Sequence, residues 1–240
     1  MSLIVRSGEA VDTAASPRWV PFRVVARLAD PVITIADPMH LDGPLSWCAY
    51  LAAREQDVVL PALSRAACVD FALPLATWTA PAPPGTDPRI LGSGGLLWGW
   101  CCSRARFVER GNTAMEVRKR PPVQEYAQYA TDRRHHDALG AHKARNVTMP
   151  ARIVTRVEWW ALGDPDASAE LLTRLRGLGR VTGHGNGRVL EVTVQAGGPG
   201  DRDHWQDRDM PAPDGQGHPG AVRAPYWHPS RKMPVTSGAA

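Results

Sequence analysis

The chain has 240 residues, 43% of them hydrophobic, with 22 glycines, 22 prolines, 9 tryptophans and a formal net charge of +4. That length supports one large domain or two small ones with a real core, and the composition excludes a disordered or wholly membrane-embedded chain. No apolar run approaches the roughly 18 residues of a spanning helix, and residues 1–6 lack a basic region followed by a long apolar core. The expectation is a cytoplasmic protein with no membrane contact.

In chain order, residues 22–28 alternate, with Phe22, Val24, Ala26 and Leu28 on one side and Arg23, Val25 and Arg27 on the other. That pattern predicts a half-buried strand. In Leu41-Asp42-Gly43-Pro44-Leu45, Asp42 reads as a helix N-cap and Pro44 suits the first turn, for a helix to about Arg54. Residues 71–78 read as a second strand, and residues 81–88, with four prolines, as a loop. Residues 96–108 and 114–118 read as a hairpin turning at Arg110-Gly111-Asn112. Residues 123–146 read as a short helix or an excursion.

Residues 151–160 alternate again: Ile153, Thr155, Val157 and Trp159 against Val154, Arg156, Glu158 and Trp160. Asp164 then caps a helix with Pro165 at its first position, and Leu171, Leu172, Leu175 and Leu178 share one face before Gly177 and Gly179 end it. A glycine-rich loop follows. A last strand places Leu190, Val192 and Val194 inward. From residue 197 periodicity is lost, so 197–240 reads as an extended tail with its ordered part around Ala224-Pro225-Tyr226-Trp227. Those two aromatics are costly to leave in water and are expected to dock, as a packing anchor ahead of a base-stacking platform.

The four cysteines (Cys48, Cys68, Cys101, Cys102) form no C-x-x-C pair. Cys101 and Cys102, adjacent in a strand, would point to opposite faces, so reduced core thiols are expected rather than a metal clamp. Charge is unevenly placed. Between residues 102 and 146 ten Lys/Arg (Arg104, Arg106, Arg110, Arg118, Lys119, Arg120, Arg133, Arg134, Lys143, Arg145) face five acids. His135, His136 and His142 add protonatable charge there. Such a segment on a nearly neutral body points to a polyanionic partner.

The loop Gly183-His184-Gly185-Asn186-Gly187 lies between Arg180 and Arg188. Its glycines let backbone approach a ligand closely, and the arginines suit bidentate phosphate contacts. It follows a helix and opens a strand, the reverse of a dinucleotide-binding loop. A tight structural connection is the bland alternative, as an ordinary solvated face is for the basic middle.

A glycine-rich loop between the last helix and last strand resembles the RAMP superfamily of CRISPR RNA-binding proteins. Leu41-Asp42-Gly43-Pro44-Leu45, the 179–194 segment, Met210-Pro211-Ala212-Pro213 and Arg223-Ala224-Pro225-Tyr226-Trp227 together resemble the Cas5-like subunit of type IV CRISPR effector complexes. Ala224 and Asp209-Met210-Pro211 depart from that closing pattern. The resemblance implies an α+β, ferredoxin-like (RAMP/RRM-like) antiparallel sheet with helices on one face, spanning 1–196, with a basic hairpin insertion at about 96–148 and the extended C-terminal tail at 197–240. It implies a non-catalytic, cofactor-free subunit that holds the 5′ repeat-derived handle of the guide RNA and caps the backbone filament. Partners would be the guide RNA, a Cas7-like backbone subunit, a large-subunit-like protein and target DNA near the guide 5′ end. The expected RNA contacts are Arg104, Arg106, Arg118, Lys119, Arg120, Arg133, Arg134, His135, His136, Lys143, Arg145, Arg180, Gly183, His184, Gly185, Asn186, Gly187 and Arg188.

Two other classes stay open. A metal-independent endoribonuclease would draw an acid–base set from Tyr126, His135, His136 and Lys143. A protein–protein scaffold would explain the tail and tryptophans but not the basic middle.

Overall fold

Alternating side chains build the central strand of the fold. The computed structural model describes residues 4–5, 13–30, 32–33, 38–58, 69–119, 145–179, 182 and 186–238. Its elements begin with β1 (Ile4–Val5), β2 (Val20–Leu28), β3 (Val32–Ile33), α1 (Asp42–Glu55), β4 (Asp70–Phe71), β5 (Thr77–Ala80) and β6 (Leu97–Trp100). There follow β7 (Arg106–Lys119), β8 (Arg145–Gly163), α2 (Pro165–Leu172), β9 (Val189–Ala196), β10 (Asp209–Pro211), β11 (His218–Gly220) and β12 (Met233–Ser237). In the main sheet β8 pairs with β2 on one edge and β7 on the other, β2 pairs with β9, and β3 pairs with β8, all antiparallel. The order β7-β8-β2-β9, with α1 after β2 and α2 after β8, is α+β and compatible with a ferredoxin-like fold.

The core lies between this sheet and the helices. Phe22, Val24 and Ala26 from β2 and Val157, Trp159 and Ala161 from β8 meet Leu41, Leu45, Cys48 and Leu172, all buried. Asp164 Oδ1 accepts from the Ala167 N–H at 3.0 Å and Pro165 opens α2, as the sequence predicts. The helix stops at Leu172, earlier than expected, yet Leu175 and Leu178 continue inward from the following turns. Cys101 faces a second core with Trp78, Leu97, Trp205 and Val235, while Cys102 faces the first. Cys48, Cys101 and Cys102 are free thiols.

Several expectations are corrected. Residues 96–118 do not form a hairpin: β6 turns back onto β5, and β7 runs without reversal along β8. Gly111 stays in the ladder opposite Ile153, beside a bulge at Arg110. The described part of the basic middle is therefore two strands of the main sheet rather than an insertion. A second bulge at Thr155 shifts the alternation of β8, so Val154 and Val157 are both buried. The 71–78 strand splits into β4 and the start of β5, separated by residues 72–76.

Residues 197–238 are not an extended tail. β10 and β11 flank β12 in a three-stranded sheet, and Trp205, Val222, Met233 and Val235 fill the second core. Buried arginines fasten the segment alongside these apolar side chains. Arg223 donates to the carbonyls of Trp98 and Ile90, both at 2.7 Å, and to Asp70 at 3.1 Å, with its guanidinium 4.0 Å from the Trp98 ring centroid. Burial pulls the Arg223 pKa down to about 10, against the opposing pull of Asp70, so it remains charged at neutral pH. Arg231 adds a 2.7 Å bond to the same carboxylate. Arg208, fully buried, donates to the carbonyls of Trp100, Cys102 and Val222.

Asp42 is not the N-cap; Leu41 holds that position and no side chain caps the helix. The buried Asp42 carboxylate instead receives the Ala224 N–H at 2.9 Å and the Tyr226 hydroxyl at 2.5 Å, with the Cys102 thiol at 3.6 Å. Two of the segments quoted above, Leu41-Asp42-Gly43 and Ala224-Pro225-Tyr226, thus contact each other. Tyr226 stacks on His40 with ring centroids 5.0 Å apart, whereas Trp227 is 59% exposed. Tyr226→Phe should cost about 1.5–3 kcal/mol by urea unfolding, the range for a hydrogen bond to a charged group. In an Asp42→Ala background the same change should be nearly neutral.

His40 is buried and accepts the Asp209 N–H on Nε2 at 3.3 Å, which requires that nitrogen to be unprotonated. Burial, then the nearby Arg208 and Arg104 cations, push its pKa well below 6.5. The unfolded chain takes up a proton near pH 6.5 that the folded chain refuses. Stability should therefore fall as pH drops below about 6.5, by up to about 1.4 kcal/mol per pH unit from this group, and be unaffected by it above pH 7. His40→Gln should flatten that slope between about pH 6.5 and 5 in urea unfolding curves.

Candidate nucleic-acid interface

The register that buries one face of the sheet fixes the other. Across β2 and β8, Arg23 pairs with Trp160, Val25 with Glu158 and Arg27 with Arg156. Across β7 and β8, Arg106 pairs with Glu158 and Val108 with Arg156. The face opposite α1 and α2 therefore gathers Arg23, Arg27, Arg106 and Arg156 around Trp160. Neither α1 nor α2 lies on it, and the short 3-10 turn His204–Gln206 reaches it at Trp160.

Glu158 organises this face. Its carboxylate, 4% exposed, pairs with Arg23 Nη2 and Arg156 Nε, each at 2.6 Å. Arg27 pairs with Glu191 at 3.2 Å, where both side chains are open to solvent and the pair is worth little. Arg106 has no ion pair among the described residues. Its guanidinium lies 5.3 Å from the Trp160 ring centroid, and that of Arg23 at 5.5 Å. His204 meets the same ring edge-on at 6.0 Å. A partly buried indole held by cations can stack a base on what it leaves open while the guanidiniums take its phosphates.

Beyond the reach of β2, β7 and β8 continue as a ribbon. At its end Arg118 faces Asn146 and Lys119 faces Arg145, so three expected contacts are brought together by backbone register. Arg106 lies on the open face. Arg104 pairs with Asp207 at 2.8 Å beside buried His40. Arg120, Tyr126, Arg133, Arg134, His135, His136 and Lys143 lie outside the described residues, as do Arg180, Gly183, His184 and Gly185. Asn186, Gly187 and Arg188 lead into β9, with Arg188 exposed. Gly187 has φ +62°, and a Cβ there would stand 2.1 Å from the Leu178 carbonyl oxygen, so this glycine has a structural reason of its own.

Arg23, Arg27, Arg156 and Trp160 join the candidate face only through the strand pairing. The signal was present: alternation put Arg23 and Arg27 on one side of their strand, and Arg156 and Trp160 on one side of theirs. Only the pairing of β2 with β8 shows that these two sides are one surface. Among the described residues no group of three His, Cys, Asp or Glu could hold a metal, and no helix is long and apolar enough to cross a membrane.

The family described as CRISPR type IV associated protein Csf3 matches residues 101–237, more than half of the 240 residues. The chain belongs to the Csf3 family. The match spans β7, β8, α2, β9 and the C-terminal three-stranded sheet, and so includes Arg106, Arg156 and Trp160. No curated protein matches the chain. Csf3 membership makes it a type IV CRISPR subunit, with partners inside that complex.

Proposed function

We propose that the chain is the Cas5-like, RAMP-type RNA-binding subunit of a type IV CRISPR complex. It holds the 5′ repeat-derived handle of the guide RNA, caps the backbone filament and does no catalysis. The observation that carries this reading is the open sheet face, where Trp160 lies among Arg23, Arg106 and Arg156 on the side away from the helices. Unpaired bases stack on such a ring, and the arginines follow the phosphates. Backbone register brings Arg118, Lys119 and Arg145 together at the end of the ribbon. A Cas7-like subunit and a large-subunit-like protein would adjoin it, with target DNA reached near the guide 5′ end.

The test uses the full chain and labelled single-stranded repeat RNA in a chelator, reading binding and cleavage together. Binding without cleavage is expected. Trp160→Ala should weaken it about tenfold or more, the value of roughly 1–3 kcal/mol for one stacked base. Arg106→Ala should reduce the slope of log affinity against log salt by about 0.7. A discrete cut in the chelator would instead make this a processing nuclease and direct attention to Tyr126, His135, His136 and Lys143. Absence of RNA binding would leave the scaffold reading.

A further inference from the structure

The β7–β8 ladder carries two bulges back to back. Val108 pairs with Arg156 and Glu109 with Val154, which leaves Thr155 as an extra residue on β8. Glu109 and then Gly111 pair with Val154 and Ile153, which leaves Arg110 as an extra residue on β7. Bulges bend a strand and re-aim its side chains. Here they open a recess of about 500 Å³ lined by Arg27, Leu28, Val108, Arg110, Thr155 and Arg156. That volume lies within the roughly 300–1,000 Å³ range of ligand sites.

Three of the six lining residues are arginines and none is acidic. Acids beside it are engaged elsewhere: Glu191 pairs with Arg27 at 3.2 Å, Glu158 with Arg156 and Arg23, and Glu109 with Arg152. Arg110 is exposed and has no ion pair among the described residues. Arg110 thus adds a guanidinium without an ion pair beside two whose carboxylates lie outside the recess, and an anion seated there would be drawn to all three.

We propose that Arg27, Arg110 and Arg156 form a seat for a single phosphate group at the double bulge. The phosphate is that of a nucleic-acid strand, either a terminal phosphate or an internal phosphodiester. Guanidinium forks bind phosphate oxygens bidentately, and the apolar Val108 and Leu28 stems line the rest of the recess. The seat deepens the RNA-binding reading and rests on it for the identity of the strand, but not for the phosphate chemistry. It would fix the register of a strand whose bases reach Trp160, since Arg156 lies on the same face of the same strand.

Arg110→Gln in the full chain is the discriminating variant, because among the described residues it breaks no ion pair and Arg110 is exposed. Without ligand it should melt at or above the wild-type temperature. Its affinity for single-stranded RNA should fall about tenfold, and its salt slope should shrink by about 0.7. Arg89→Gln, changed in a distant loop, should do neither. RNA carrying a 5′-phosphate, compared with the same RNA carrying a 5′-hydroxyl, separates the sources. A preference lost in Arg110→Gln assigns a terminal phosphate, and an equal loss on both RNAs assigns an internal one. Wild-type affinity and slope in Arg110→Gln would overturn the seat and leave the RNA reading standing. If the wild-type chain binds no RNA, that reading fails, and the seat is judged on inorganic pyrophosphate alone. A rise in melting temperature that Arg110→Gln abolishes sustains it; no rise overturns it.

Discussion

The buried Asp42 carboxylate ties the two ends of the chain together. It stands at the start of α1 yet spends its hydrogen-bonding capacity on Ala224, Tyr226 and Cys102 rather than on its own helix. A buried carboxylate left without donors is strongly unfavourable, so the C-terminal segment has one place to settle. Once Tyr226 is docked, Arg223 reaches Asp70 and the Trp98 carbonyl, and Arg208 spans the strand ends at Trp100 and Cys102. The C-terminal sheet then closes the second core against β5 and β6. Three buried arginines in a small core are specific more than they are stabilising, because each satisfies a particular set of carbonyls.

This arrangement leaves one face of the main sheet without an α-helix over it. The helices cover the first face, and the C-terminal segment fastens against β5, β6 and the α1 start. On the other face the described residues present arginines, a partly open tryptophan and a recess. Structural arginines and surface arginines are thus separated by pairing: Arg208, Arg223 and Arg231 are buried by carbonyls and Asp70, while Arg106 and Arg110 carry no ion pair among the described residues. Positive charge without a partner is the feature that an RNA-binding account explains and a purely structural one does not.

How much of this was legible in the sequence depends on range. Period-two alternation gave β2 and β8, and Asp164-Pro165 gave the start of α2, because those signals are local. The Gly111 turn was misread because a glycine beside charged residues looks the same in a hairpin and in a bulged strand, and only the partner strand decides. The last forty residues looked structureless because their fasteners are arginines, which composition assigns to the surface. Asp42 looked like a cap for the same reason: its donors are distant in sequence, Cys102 by 60 residues and Ala224 and Tyr226 by more than 180. The open face could be read one strand at a time, but not as a surface, since its residues come from strands far apart in sequence.

The proposed function puts RNA on the sheet face away from α1 and α2. The most direct measurement is photocrosslinking of the full chain to single-stranded repeat RNA carrying 4-thiouridine, with the linked peptides identified by mass spectrometry. The account predicts crosslinks on β8 around Trp160 and on β7 around Arg106. Crosslinks confined to α1 and the exposed Trp47 and Trp227, with none on β7 or β8, would contradict it.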